Sequence, residues 1–206
     1  MSKCIIFDLD GTLVTLPIRY ELIQKKLREL FNLEVNFSPL IPSIIEYSKN
    51  NEKLTHDAFE LLCEEELIAS ESVKEIEGLQ EVIDYLLSKK YSISLVTMQC
   101  KKSAKIILAK LNLTAKFSSI ITRDENYDRF FQIKNTYESL NFSPSDVTMI
   151  GDRIHDINSA TKANCNSILV NRNDIKSKKL KELTNILWNQ RLKNFLDASK
   201  VYFCNL

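Results

Sequence analysis

Glycine and proline are scarce, three and four in 206 residues, so flexible linkers must be short, and neither a low-complexity tract nor an internal repeat is present. Excess charge of either sign is also lacking. The 28 basic and 27 acidic side chains leave a formal charge of +1, without the bulk positive field that a nucleic-acid partner requires. The five cysteines, at 4, 63, 100, 165 and 204, are odd in number and include no Cys-x-x-Cys pair. That pattern argues against a disulfide framework and a zinc site and predicts reduced, mostly buried thiols. The only histidines, His56 and His155, have no spacing that makes them a metal pair and are read as surface or helix-end residues. No stretch approaches the ~20 apolar residues of a membrane span. The first apolar run, Cys4–Leu9, is too short for a signal peptide and is interrupted by Asp8. The expectation is a cytoplasmic protein with no membrane partner.

Hydrophobic residues make up 44% of the chain and charged residues 27%, an ordinary globular composition. A chain of this length buries roughly 70% of its unfolded surface. Lys3–Leu9 is a short apolar run ending in Asp-Gly, the pattern of a buried parallel strand followed by a tight loop. From Leu79 onward helical and strand patterns alternate. Helices are predicted over Leu79–Lys89, Ala104–Leu111, Arg129–Leu140 and Asp156–Ala163, and strands over Ile93–Thr97, Ser119–Thr122, Val147–Ile150 and Ser167–Val170. Because a parallel crossover needs about a dozen residues and is normally helical, this order predicts an α/β fold with a doubly wound parallel sheet.

Between Leu13 and Gly78 the pattern changes. Tyr20–Phe31 and His56–Ile68 read as helices, Pro39 and Pro42 mark a break, and no strand is evident. Residues 14–78 are therefore assigned to a helical cap inserted after the first strand, and residues 1–13 with 79–206 to the core domain. The segment from Asn171 carries an apolar stripe through Leu183, Ile186, Leu187, Leu192 and Phe195, the pattern of an appended helix.

In open parallel sheets ligands bind at the carboxyl ends of strands. Three predicted strand ends here carry polar or acidic groups: Asp8 with Asp10, Thr97, and Asp152 with Asp156. Alternate carboxylates on an extended segment can supply a nucleophile and, one residue removed, a proton donor. Gly11 then lets the backbone turn close to a phosphate, and a bound cation would hold Asp8 ionised.

The motif Asp8-Leu9-Asp10-Gly11-Thr12-Leu13 resembles the first motif of the haloacid dehalogenase superfamily, and Gly151-Asp152-Arg153-Ile154-His155-Asp156 resembles its fourth. The resemblance extends from residue 3 to about 170. It implies a Rossmann-like core, a magnesium cofactor and a phosphatase in which Asp8 forms an aspartyl-phosphate while Asp10 protonates the leaving group and then activates water. It further implies metal ligation by Asp8, the Asp10 carbonyl and Asp152, with Asp156 behind the ligand set. Gly11, Thr12, Thr97 and Met98 would contact substrate, and Thr97 would donate to a phosphoryl oxygen. Met98 departs from the small or amide residue common at its position.

The third motif of the family is a lysine near the start of the helix before the last catalytic strand, and the usual Lys-Pro pair is absent here. Arg129, 22 positions before Gly151, falls at the predicted helix start; Lys134 is the alternative, one turn or more inside the helix. Two further cap residues, Arg19 and Tyr20, could face the site.

The implied partner is a small phosphorylated metabolite, and the oligomeric state is left at monomer or homodimer. A phosphomutase would use the same carboxylates but needs a second phosphate grip in the cap. A non-catalytic binding module on the same fold would carry a damaged first motif. Dehalogenation needs no metal and no second aspartate, which would leave Asp10 and Asp152 without a role.

Overall fold

The computed structural model describes residues 3–76, 78–170 and 201–204. Its centre is a sheet of six strands in the order β5-β4-β1-β6-β7-β8, built from β1 (Cys4–Phe7), β4 (Ser92–Val96), β5 (Ser119–Ile121), β6 (Val147–Gly151), β7 (Asn166–Val170) and β8 (Val201–Cys204). The first five pair in parallel and β8 runs antiparallel at the edge. The chain moves outward from β1 through β4 to β5, then crosses to β6 on the other side of β1. Strand order therefore reverses beside β1, which opens a crevice at the carboxyl ends of the strands.

Period-two alternation divides the strand residues between two faces. Ile5, Phe7, Ile93, Leu95 and Ile150 join one buried cluster with residues of α4 (Leu79–Ser88) and α5 (Lys101–Lys110). Cys4, Ile6, Val96, Val147 and Met149 join another with residues of α6 (Arg129–Ser139) and α7 (Ile154–Lys162). Strands buried on both faces read as continuous apolar runs, so the sheet was visible in the sequence. Each core strand and helix lies within a residue or a few of its predicted span.

Between β1 and α4 lie α1 (Tyr20–Phe31), α2 (Leu40–Ser48) and α3 (Glu52–Glu71), packed around an apolar cluster of their own centred on Ile23, Leu27, Phe37, Ile44 and Leu62. Two expectations need correction here. Pro39 and Pro42 do not mark a break: Pro39 is the N-cap of α2, and Pro42 lies in its first turn, where a missing N–H leaves no helical bond unmade. The segment is also not free of strands, because β2 (Val14–Thr15) and β3 (Lys74–Glu75) pair as an antiparallel ribbon where the chain leaves and re-enters the sheet domain. Two residues per strand are too few for alternation to register.

The cysteine expectation is corrected as well, since Cys63 and Cys100 form a disulfide, with Cα atoms 5.5 Å apart. Spacing along the chain gave no sign of it because α3 lies against α5 only in the fold. Cys4 and Cys165 are free thiols. The predicted appended helix beyond Asn171 lies outside the described residues. No described helix is long and apolar enough to cross a membrane.

Candidate active site

Asp8 follows the last residue of β1 and is held there by its backbone N–H, which donates to the Ile150 carbonyl at 2.9 Å. Its side chain is buried. The next turn depends on Gly11, whose φ of +103° lies in the left-handed region and whose place leaves no room for a side chain: a Cβ there would collide with the Asp152 carboxylate. The loop folds back through Gly11 N–H to the Val14 carbonyl at 2.9 Å, and Asp10 Oδ1 accepts from Leu16 N–H at 3.0 Å.

At the end of β6, Gly151 permits an equally close approach, since a Cβ on it would meet the Asp156 carboxylate. Asp156 stands in the first turn of α7 and accepts from Arg153 N–H at 3.2 Å, capping the helix. Carboxylate oxygens of Asp8, Asp152 and Asp156 come within 4.8 Å of one another.

Arg129 opens α6, whose N-cap Asp128 accepts from Phe130 N–H at 2.8 Å. The guanidinium is buried. Its Nη2 lies 2.6 Å from Asp8 Oδ1 and its Nε 3.0 Å from Asp156 Oδ1. Lys134 sits farther along the helix, partly exposed, with Nζ 3.7 Å from Glu138 Oε1. The fold thus brings Arg129 to Asp8 and leaves Lys134 with a carboxylate of its own helix.

Burial pushes the Asp8 carboxyl up to about 7, and the negative charge of Asp156 adds to the rise against the opposing pull of Arg129. Asp156 is also raised, by burial first and then by repulsion from Asp152, with Arg129 again opposing. Three clustered carboxylates, two of them against one guanidinium, carry more negative charge when ionised than that cation offsets. Hard oxygen donors in this arrangement fit a divalent cation. Thr12 Oγ1 is buried and finds no hydrogen-bond partner among the described residues, a donor suited to a phosphate oxygen at the same turn.

Asp8, Asp10, Asp156 and Arg129 line a cavity of about 240 Å³, whereas Gly11, Thr12 and Asp152 stand behind its lining. Thr97 and Met98 after β4 face it, as do Tyr20 and His155; His56 and Arg19 do not line it. Arg19 instead meets Glu65 at 2.7 Å, and His56 is exposed.

Three residues had no signal in the sequence. Gln132 accepts from Arg129 Nη1 at 3.1 Å and donates to the Thr97 carbonyl at 3.0 Å, joining α6 to the β4 loop. Glu66 of α3 and Arg123 after β5 form a buried two-pronged pair at 2.6 and 3.0 Å. Glu66 also accepts from Cys100 N–H at 2.8 Å. Helix α3 is therefore tied to the β4–α5 loop by a disulfide and, one turn later, by the Glu66–Cys100 hydrogen bond, and to the segment after β5 by the Glu66–Arg123 ion pair. A spacing rule for Arg–Glu pairs does not exist across 57 residues.

The family profile of haloacid dehalogenase-like hydrolases matches residues 5–170. No curated protein matches the chain in sequence. Among solved structures it is similar to a predicted phosphatase from Clostridium acetobutylicum, at 26% identity over 81% of this chain and 83% of that one, with a TM-score of 0.59. A predicted phosphoglycolate phosphatase from Haemophilus somnus shares 21% identity over 81% and 84% of the two chains, with a TM-score of 0.58. A candidate β-phosphoglucomutase from Thermotoga maritima shares 20% over 87% and 90%, at 0.59. The last two likenesses are of fold.

Proposed function

The chain belongs to the haloacid dehalogenase-like hydrolases, and on that premise we propose that it is a magnesium-dependent phosphatase that hydrolyses a small phosphate monoester through a phosphoryl group carried on Asp8. The observation that carries this reading is the convergence of Asp8, Asp152 and Asp156 at the strand ends, with Arg129 bound to the first and last of them.

In the first half-reaction an Asp8 carboxylate oxygen bonds to phosphorus as the bond to the leaving oxygen breaks, and Asp10 gives that oxygen its proton. In the second, Asp10 takes a proton from water, the water oxygen bonds to phosphorus, and the acyl phosphate bond breaks to return Asp8 and inorganic phosphate. Magnesium held by Asp8, the Asp10 carbonyl and Asp152 would supply the positive charge that keeps Asp8 ionised and offsets its repulsion from the phosphate. Arg129 adds positive charge beside Asp8 and fixes its orientation. Thr97 and Thr12 donate hydroxyl hydrogen bonds to phosphoryl oxygens, and Asp156 positions Arg129. Residues 14–78 serve as the cap over this site, with residues 1–13 and 79–206 as the core.

The first motif is intact, which disfavours a non-catalytic module. A phosphomutase must hold a bisphosphate intermediate, and the cap side of the cavity offers apolar side chains in place of a second phosphate grip. The test is release of inorganic phosphate from a panel of small phosphate monoesters with Mg²⁺ and with EDTA. Metal-dependent release is expected; no release from any ester with Mg²⁺ present would overturn the reading.

A further inference from the structure

The two sides of the cavity differ in chemistry. The side made by strand ends carries the carboxylates and guanidinium groups, while the side made by α1, α2, α3 and the loop before α1 presents Ile18, Ile23, Leu40, Ile41 and Leu62. Ile23 and Leu62 belong to the helices' own apolar cluster and also reach the cavity, so that cluster and the cavity wall are continuous.

The charged groups around this space are set against one another. Arg123 is committed to Glu66 through two nitrogens. Arg129 is committed to Asp8 and Asp156. Arg153, at the exposed mouth, hydrogen-bonds the Tyr20 hydroxyl and faces the charges of Asp152 and Asp8. Basic residues of the helical segment are turned elsewhere: Arg19 and Lys26 both meet Glu65, and Lys53 meets Asp57. Away from Tyr20 with Arg153 at the mouth and Glu66 with Arg123, the helical wall offers no cation to a carboxylate or second phosphate on the leaving group and no partners to a sugar's hydroxyls, each costly to desolvate.

We infer that the site takes a phosphate monoester of an uncharged, predominantly apolar alcohol, with the phosphate at Asp8 and the hydrocarbon body against Ile18, Leu40, Ile41 and Leu62. The inference rests on the phosphatase reading for its chemistry, but the wall that selects the alcohol can be read without turnover.

The experiment compares 3-methylbutyl phosphate with glucose 6-phosphate and 2-phosphoglycolate. All three have alkyl leaving groups, so the comparison reads contacts with the wall rather than the leaving oxygen's acidity. The expected result is a kcat/KM for 3-methylbutyl phosphate at least tenfold above both others, the lower end of what burying several methylene groups provides. Equal or higher values for either polar ester would overturn the inference. Ile41→Lys places a cation on the wall and is expected to reverse the order of 3-methylbutyl phosphate and 2-phosphoglycolate; an unchanged order would also count against it. Calorimetric binding of the same three esters to Asp8→Asn with Mg²⁺ separates the two readings. If the wild-type protein hydrolyses none of them and this variant still binds the apolar ester tenfold more tightly, the phosphatase reading fails and the selectivity stands. If it binds them equally, the selectivity falls.

Discussion

Arg129 Nη2 lies 2.6 Å from Asp8 Oδ1 across 121 residues of chain, and both side chains are buried. A cation fixed against a carboxylate at this distance orients it and shares its charge, while Nε of the same group lies 3.0 Å from Asp156 Oδ1. One planar guanidinium thus spans two carboxylates, which a compact ammonium cannot do in the same way.

Arg129→Ala is expected to lower kcat at least 100-fold, the usual scale for removing a fixed charge from a transition state. Lys134→Ala, which loses only a partly exposed contact with Glu138, should change kcat by less than about threefold. Steady-state kinetics of the two variants checks this, and comparable losses in both would contradict the assignment of Arg129.

Gly11→Ala should abolish phosphate release and lower the melting temperature. Its Cβ would collide with the Asp152 carboxylate, and its φ of +103° is unfavourable for alanine in any case. A variant with wild-type activity and stability would show that the Asp8–Asp152 turn is not packed as described.

The Cys63–Cys100 bridge closes a loop of 37 residues. A loop of that length is expected to contribute about 4 kcal/mol by restricting the unfolded chain. Cys63→Ser with Cys100→Ser should therefore shift the urea midpoint downward by a corresponding amount, and peptide mapping without reductant should recover residues 63 and 100 in one linked species. Free thiols at both positions in the oxidised protein would contradict the bridge.

The remaining described thiols make a prediction about pH. Burial pushes Cys165 up to about 12 and raises Cys4 as well. A folded-state value above the unfolded one means that this contribution to stability is complete below the ordinary thiol range near 9 and is lost as pH rises from there towards 12. Native protein at pH 8 should leave residues 4 and 165 unlabelled by iodoacetamide, whereas urea-unfolded protein should be labelled at both. Rapid native labelling at residue 165 would show the thiol to be accessible and ionised.

The sheet was legible in the sequence because five parallel strands buried on both faces are continuous apolar runs, and because the helices between them keep their 3.6-residue period. Asp8, Asp10, Asp152 and Asp156 could be picked out because each follows such a run at the end where parallel sheets bind ligands. Helix α2 was hidden by two prolines that a first turn tolerates, and the β2–β3 ribbon by its length. The contacts that tie α3 to the sheet domain, Cys63 with Cys100 and Glu66 with Arg123, were beyond reach for another reason. They depend on how α3 settles against α5, and no local pattern encodes the meeting of residues 37 and 57 positions apart. Gln132 was missed similarly, since a buried glutamine between Arg129 and Thr97 is indistinguishable in sequence from any polar residue on a helix.

The central claim is that Asp8 itself carries the phosphoryl group. Wild-type protein and Asp8→Asn are incubated with Mg²⁺ and a hydrolysed ester, quenched in acid within the first turnover, and digested for mass mapping. The account predicts a phosphoryl group on the Asp8-containing peptide of the wild type, no such peptide from Asp8→Asn, and no phosphate release by that variant. Phosphate release by Asp8→Asn at a rate near that of the wild type would contradict it.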